Sequence, residues 1–202
     1  MKKKTNIFRE DLIRKCDDFL AGKINAEGLQ LFASKLLVNE NFDQTDEILD
    51  NIIYQWEMEE MSFPINEVNI KLWKEYLTTG IDKLAEFNNW NVHIDKQKEL
   101  CVKYNSDWNP INKKLMIGSS NNLDSDPING LRHPKEGNAT GWYIWTGKYS
   151  ESEDFFKTIC AEHLLQIRPQ LIKYFGLNTG FRFLIDKDDY EDVWYDPDLK
   201  NI

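Results

Sequence analysis

Along the first ninety positions apolar residues return every three or four places, the period of helices with one buried face. Phe8, Leu12, Cys16, Phe19 and Leu20 predict a first helix, punctuated by Gly22. Asn25 is a suitable N-cap for a second, because its side chain can accept from the unpaired N–H groups of the first turn; Leu29, Phe32, Ala33, Leu36 and Leu37 form that helix's stripe. Thr45 is the expected cap of a third helix. Its first turn holds Asp46 and Glu47, where the helix dipole favours them, and its buried face is Ile48, Leu49, Ile52, Ile53 and Trp56. Asn66 caps a fourth, with Ile70, Trp73 and Leu77 inward, Leu72 and Tyr76 alongside, and Gly80 as the stop. A short helix through Leu84 and Phe87 completes a bundle.

After Trp90 the period shortens. Leu100, Val102 and Tyr104 alternate with polar residues and Leu115-Met116-Ile117 is a short apolar run; both predict strands. Residues 119–141, rich in Asn, Ser, Asp, Gly and Pro, read as a long loop, a feature that goes with function or mobility. "GWYIWTG" (141–147) is a strand whose alternating aromatics divide between a core face and a partly covered outer face. A long helix is expected from Ser152, with Phe156, Ile159, Cys160, His163, Leu164 and Ile167 on one face. Pro169 interrupts or restarts it and Gly176 ends it. "GFRFLID" (180–186) is a further strand. Tyr190 to Tyr195 is a last one, partly exposed because neither of its faces is purely apolar. The expected architecture is α+β: an N-terminal helical bundle over 1–90, then at 91–202 a small, mostly antiparallel sheet with one long helix.

Charge sharpens this picture. The 202 residues carry 25 Lys and Arg against 34 Asp and Glu, a net −9 that argues against direct binding to nucleic acid or to an anionic membrane. No apolar run approaches the length of a membrane span. Met1-Lys2-Lys3-Lys4 is followed by polar and charged residues rather than an apolar stretch, so no export is expected. Three widely spaced cysteines suit a reducing cytoplasm. Residues 36–70 contain no Lys or Arg, while Glu40, Asp43, Asp46, Glu47, Asp50, Glu57, Glu59, Glu60 and Glu67 all fall within them. Residues 91–179 balance ten acids with eleven bases, and the tail "DDYEDVWYDPDL" (188–199) turns acidic again. A solvated face accounts for any one of these carboxylates. A whole helix that forgoes the i,i+4 ion pairs available to it is less ordinary, and points to a partner that brings the cations.

Catalytic chemistry is poorly marked. Cys160 and His163 stand three apart, but no second ligand pair has suitable spacing, so a buried structural histidine is expected there and no metal. His133 follows Arg132 in "LRHP", yet no GxSxG or other marked nucleophile accompanies it. Neither GxGxxG nor a P-loop calls for a cofactor. The aromatics of 142–145 lack the interleaved basic residues that stacking of single-stranded nucleic acid needs, with only Lys148 close. An enzyme is therefore not expected. A small hydrolase using His133 with Glu162 or His163 stays open as an alternative, as does a protein-binding module of regulatory rather than antitoxic purpose.

The C-terminal half, through "GWYIWTGKYSESEDFF" (141–156), "EHLLQIRPQLIKYFGLNTGFRFLI" (162–185) and "YEDVWYD" (190–196), resembles bacterial immunity proteins of polymorphic-toxin and contact-dependent inhibition systems. The helical "DDFLAGKINAEGLQLFASKLL" (17–37) and "ILDNIIYQWEMEEMSFPINEVNIKLW" (48–73) are similar to the small helical immunity domains of such loci. The resemblance implies a cytoplasmic protein that binds a cognate toxin domain and covers its active site. Many such toxins are nucleases with basic clefts, which carboxylates would match. The expected interface is Asp50, Glu57, Glu59 and Glu60, then Glu191, Asp192 and Asp196, with Tyr54, Trp56, Trp194 and Tyr195 as aromatic anchors.

Overall fold

The structure is a computed structural model that describes residues 7–39, 45–188 and 190–200. The basic start Met1–Lys4, Glu40, Asp43 and Asp189 lie outside the described residues. The chain forms two compact units, Met1–Asn88 and Asn89–Ile202. It is an α+β protein, its N-terminal helices preceding a six-stranded, mostly antiparallel sheet.

The first unit holds α1 (Arg9–Leu20), α2 (Ala26–Leu37), α3 (Glu47–Glu57), α4 (Glu67–Thr79) and α5 (Leu84–Asn88). The predicted stripes meet in one core, where α1 packs on α4 and α2 on α3. At its centre Trp56 and Trp73 stand edge to face, their ring centroids 6.0 Å apart, and the Trp73 indole N–H donates to Gln55 Oε1 at 2.7 Å. Asn25 and Asn66 cap α2 and α4 as expected, and Gly80 closes α4 with φ +77°, a left-handed conformation that favours glycine. The cap of α3 is Asp46, not Thr45. Its Oδ1 accepts from the N–H groups of Ile48 and Leu49, while Arg9 donates to both carboxylate oxygens at 2.6 and 3.0 Å. A carboxylate does both tasks at once; a hydroxyl would leave the arginine without its ion pair.

The second unit holds α6 (Ile94–Lys103), β1 (Met116–Ser119), β2 (Ile128–Arg132), β3 (Ala139–Thr146), β4 (Lys157–Cys160), α7 (Leu164–Ile167), a 3-10 helix (Pro169–Gly176), β5 (Phe181–Ile185) and β6 (Glu191–Tyr195). The strand order is β4-β1-β3-β2-β5-β6, antiparallel throughout except for β1 beside β3. Ile128, Trp142, Ile144, Phe183 and Val193 project from one sheet face into a core shared with Leu100, Leu164, Leu171, Ile172 and Phe175. Alternation sends Leu131, Tyr143, Trp145, Arg182, Asp192 and Trp194 to the other face.

Three elements differ from the sequence reading. Leu100–Tyr104 belongs to helix α6 and its C-cap rather than a strand; Leu100 and Cys101 are buried and Val102 is 83% exposed, so the apparent alternation spans two helix faces. The helical stretch expected from Ser152 is divided: residues 157–160 form edge strand β4, and helix resumes only in short pieces on either side of Arg168, the second starting at Pro169. The long loop contains β2, a central strand. Gly130 is required there, since a Cβ would stand 2.1 Å from Cε1 of Phe183, whose ring stacks on Tyr174 at 4.0 Å. Gly130→Ala is expected to destabilise the second unit by about 1–3 kcal/mol through overpacking. Denaturant unfolding followed by the fluorescence of that unit's tryptophans checks it; an unchanged midpoint would contradict the packing.

Candidate partner-binding surfaces

The face of α3 is built by helical spacing. Asp50, Tyr54 and Glu57, four and three residues apart, share one side, while Leu49, Ile52, Ile53 and Trp56 fill the other. Asp50 is exposed and Tyr54 is 57% exposed. Glu57 is half-buried and accepts from the Ser34 hydroxyl at 3.3 Å. Past the helix, Glu59 is drawn into the fold, accepting from Gln30 Nε2 at 2.8 Å and from the Ile65 N–H at 2.7 Å, whereas Glu60 and Met61 are exposed. Among the described residues, none of Asp50, Glu57, Glu59 and Glu60 has a Lys or Arg within ion-pair distance. Trp56 belongs elsewhere: it is wholly buried against Trp73, so it anchors the core and has no surface to offer a partner. Met61 takes its place as an exposed apolar group beside the acids, a residue that helical periodicity did not flag because it lies in the 3-10 turn after α3.

The acids of the tail are placed differently. Glu191, at the start of β6, accepts from Lys103 Nζ at 2.8 Å, Lys173 Nζ at 2.5 Å, the Tyr104 hydroxyl at 3.2 Å and the Tyr174 hydroxyl at 2.7 Å. Burial raises its pKa, but the hydrogen bonds from Lys103, Lys173 and Tyr174 outweigh that and hold it at about 2. Burial, and then its bond to this carboxylate, raises the Tyr174 hydroxyl, keeping the donor protonated. Asp196 is paired with Arg182 Nε at 2.6 Å. The cations missing near these acids in sequence are thus brought in by the fold from 88, 18 and 14 residues away. Asp192 and Trp194 stay exposed on the outer sheet face. Tyr195 lies on the core side at the rim, edge to face with Phe181 at 5.5 Å and close over Gly180.

The residues of the hydrolase alternative do not converge. His133 lines a pocket with Glu136, Tyr143, Tyr149 and Phe156, and its Nδ1 lies 3.2 Å from the Leu199 carbonyl oxygen. Neither Glu162 nor His163 lines that pocket. Glu162 is held by Lys113 at 2.6 Å and by Lys114, which lowers its pKa. His163 is exposed in a 3-10 turn rather than buried, and Cys160, on β4, donates its thiol to the Lys113 carbonyl.

The model of the Imm33-like domain matches residues 96–196, half of the chain. The chain belongs to the Imm33-like family. The name is that of an immunity-protein family, and the matched residues run from α6 to the end of β6, taking in the whole sheet and the Glu191 cluster. No curated protein and no solved structure matches the chain. Among the described residues, no helix is long and apolar enough to cross a membrane.

Within the Imm33-like domain, Glu191 is expected to act as a pH-dependent clamp. Its folded pKa lies below its ordinary value of 4.5, so its contribution to stability is full above that pH and is lost as the pH falls towards about 2. Glu191→Gln should cost about 2 kcal/mol at neutral pH and flatten the acid limb of the stability curve. Unfolding measured between pH 7 and pH 2 checks this; parallel curves for the two proteins would contradict it.

Proposed function

We propose that this Imm33-like protein is an immunity protein of a polymorphic-toxin or contact-dependent inhibition locus. It acts in the cytoplasm, binding a cognate toxin domain stoichiometrically and without turnover, and its two units serve as separate domains. Family membership supports toxin neutralisation as the activity. The observation that carries the interface is the α3 side, where Asp50, Glu57 and Glu60 lie with exposed Tyr54 and Met61 and without a basic partner among the described residues. Carboxylates left to water create an unbalanced negative field that attracts a basic surface and orients it, and the two apolar groups supply area that binding can dry. A nuclease toxin, whose cleft holds phosphates, offers such a surface. Glu59 tunes this side from within, since it is tied to Gln30 and Ile65. Asp192 and Trp194 on the outer face of edge strand β6 form a second, smaller contact, which Tyr195, on the core side, joins only at the exposed rim, with Glu191 and Asp196 holding the strand behind them.

Reversing Asp50, Glu57 and Glu60 to Lys is expected to slow association with the toxin domain about tenfold or more at low salt and to flatten its salt dependence, with the helical circular dichroism unchanged. Stopped-flow mixing with the toxin encoded beside the gene provides the measurement. An unchanged rate and salt slope would remove the electrostatic basis of the reading.

A further inference from the structure

The sheet face turned away from the core carries a cavity of about 390 Å³ at the β2–β3 end. Its walls are aromatic. Tyr143 meets Phe156 edge to face at 5.1 Å and His133 at 5.7 Å, and Tyr149, itself 53% exposed, packs against Phe156 at 6.4 Å. Its floor is pinned at Gly141, with φ +85° and a Cβ position that would fall 2.1 Å from the His133 carbonyl oxygen, so no side chain can intrude there. The one full charge in the lining is the carboxylate of Glu136, which is exposed and has no ion pair or side-chain hydrogen bond among the described residues. His133 adds a further group. A carbonyl oxygen only accepts, so Nδ1 facing Leu199 carries the proton, and in the neutral ring Nε2 remains as an acceptor.

We infer that this slot receives a basic side chain, an arginine, from the protein partner. The inference rests on the toxin-binding reading and adds a further contact to it, on the Imm33-like domain. Three occupants compete on physical grounds. An anion would meet Glu136 and the negative faces of the rings. A purely apolar side chain would fill the space but strip water from an unpaired carboxylate and a ring nitrogen. A guanidinium satisfies all three groups: its plane lies on an aromatic face, and its N–H donors reach a carboxylate and an imidazole acceptor. The two segments that carry the walls, residues 133–136 and 147–157, together hold four acids (Glu136, Glu151, Glu153 and Asp154) against three lysines (Lys135, Lys148 and Lys157), so the rim does not oppose a cation.

The test uses the full chain and three small probes: N-acetyl-arginine methylamide, N-acetyl-leucine methylamide and N-acetyl-glutamate methylamide, titrated while the amide and aromatic resonances of 133–156 are followed by NMR. The arginine probe is expected to saturate in the millimolar range and shift Glu136, Tyr143, Tyr149 and Phe156. Glu136→Gln and Tyr149→Ala, both at exposed positions, should each weaken it about fivefold. Stronger binding by the leucine or glutamate probe, no shift with any probe, or unaltered arginine binding in Glu136→Gln would overturn the assignment. Because the probes need no toxin, a failure here leaves the α3 reading standing, and a failed charge reversal on α3 leaves this one.

Discussion

One carboxylate, that of Glu191, holds the edge of the Imm33-like sheet to its helical layer. It gathers Lys103 and Tyr104 from the end of α6 and Lys173 and Tyr174 from the 3-10 helix, while its backbone lies in β6. An edge strand has hydrogen bonds on one side only and is the first to fray or to pair with a stranger. Here β6 is fastened at its start by charge-assisted bonds and in its middle by Val193, which enters the core. The neighbouring Tyr174 ring lies flat on Phe183, so the same tyrosine that donates to Glu191 also packs the central strand pair β2 and β5. Loss of the carboxylate would loosen three elements at once.

That cluster separates the two acidic zones of the chain. Negative charge written densely in sequence means one thing where the fold returns lysines and arginines to it and another where it does not. Glu191, Asp196 and Glu162 all have partners supplied from their own unit, so their charge is spent on holding strands and turns. On α3 Glu47 and Asp50 face solvent, whereas Asp46 caps the helix and meets Arg9 and Glu57 is half-buried against the Ser34 hydroxyl. Holding like charges close together costs stability; Asp50 gains from the helix dipole in the first turn of α3, but among the described residues neither it nor Glu60, in the 3-10 turn that follows, has an ion pair. The proposed partner binding would give those positions a reason to be acidic.

How much of this was legible beforehand follows from the range of each interaction. The stripes of α2 and α4 and their asparagine caps are local, within four residues, and the pattern displays them directly. The division of residues 142–145 between two sheet faces was legible for the same reason: Trp142 and Ile144 enter the core and Tyr143 and Trp145 do not. β2 was hidden because Asn129-Gly130 reads as a turn; the glycine is there for Phe183, 53 residues away, and nothing nearby announces it. α6 imitated a strand because Val102 lies on its exposed side. The counterions of Glu191 and the burial of Trp56 are likewise set by distant contacts, so neither the clamp at the start of β6 nor the core position of Trp56 shows in the local pattern. The slot at Glu136 escaped for a related reason: its walls come from β2, β3 and the segment before β4, brought together only by the sheet.

The central claim is that carboxylates compensated within the fold are structural while those of α3 await a partner. Carbodiimide labelling of the free protein and of its complex with the toxin domain, read residue by residue by mass spectrometry, tests both halves together. Asp50 and Glu60 should label readily in the free protein and become protected in the complex, with Glu191 slow to react in both. Protection confined to the tail, or Glu191 labelling as fast as Glu60 in the free protein, would contradict the account.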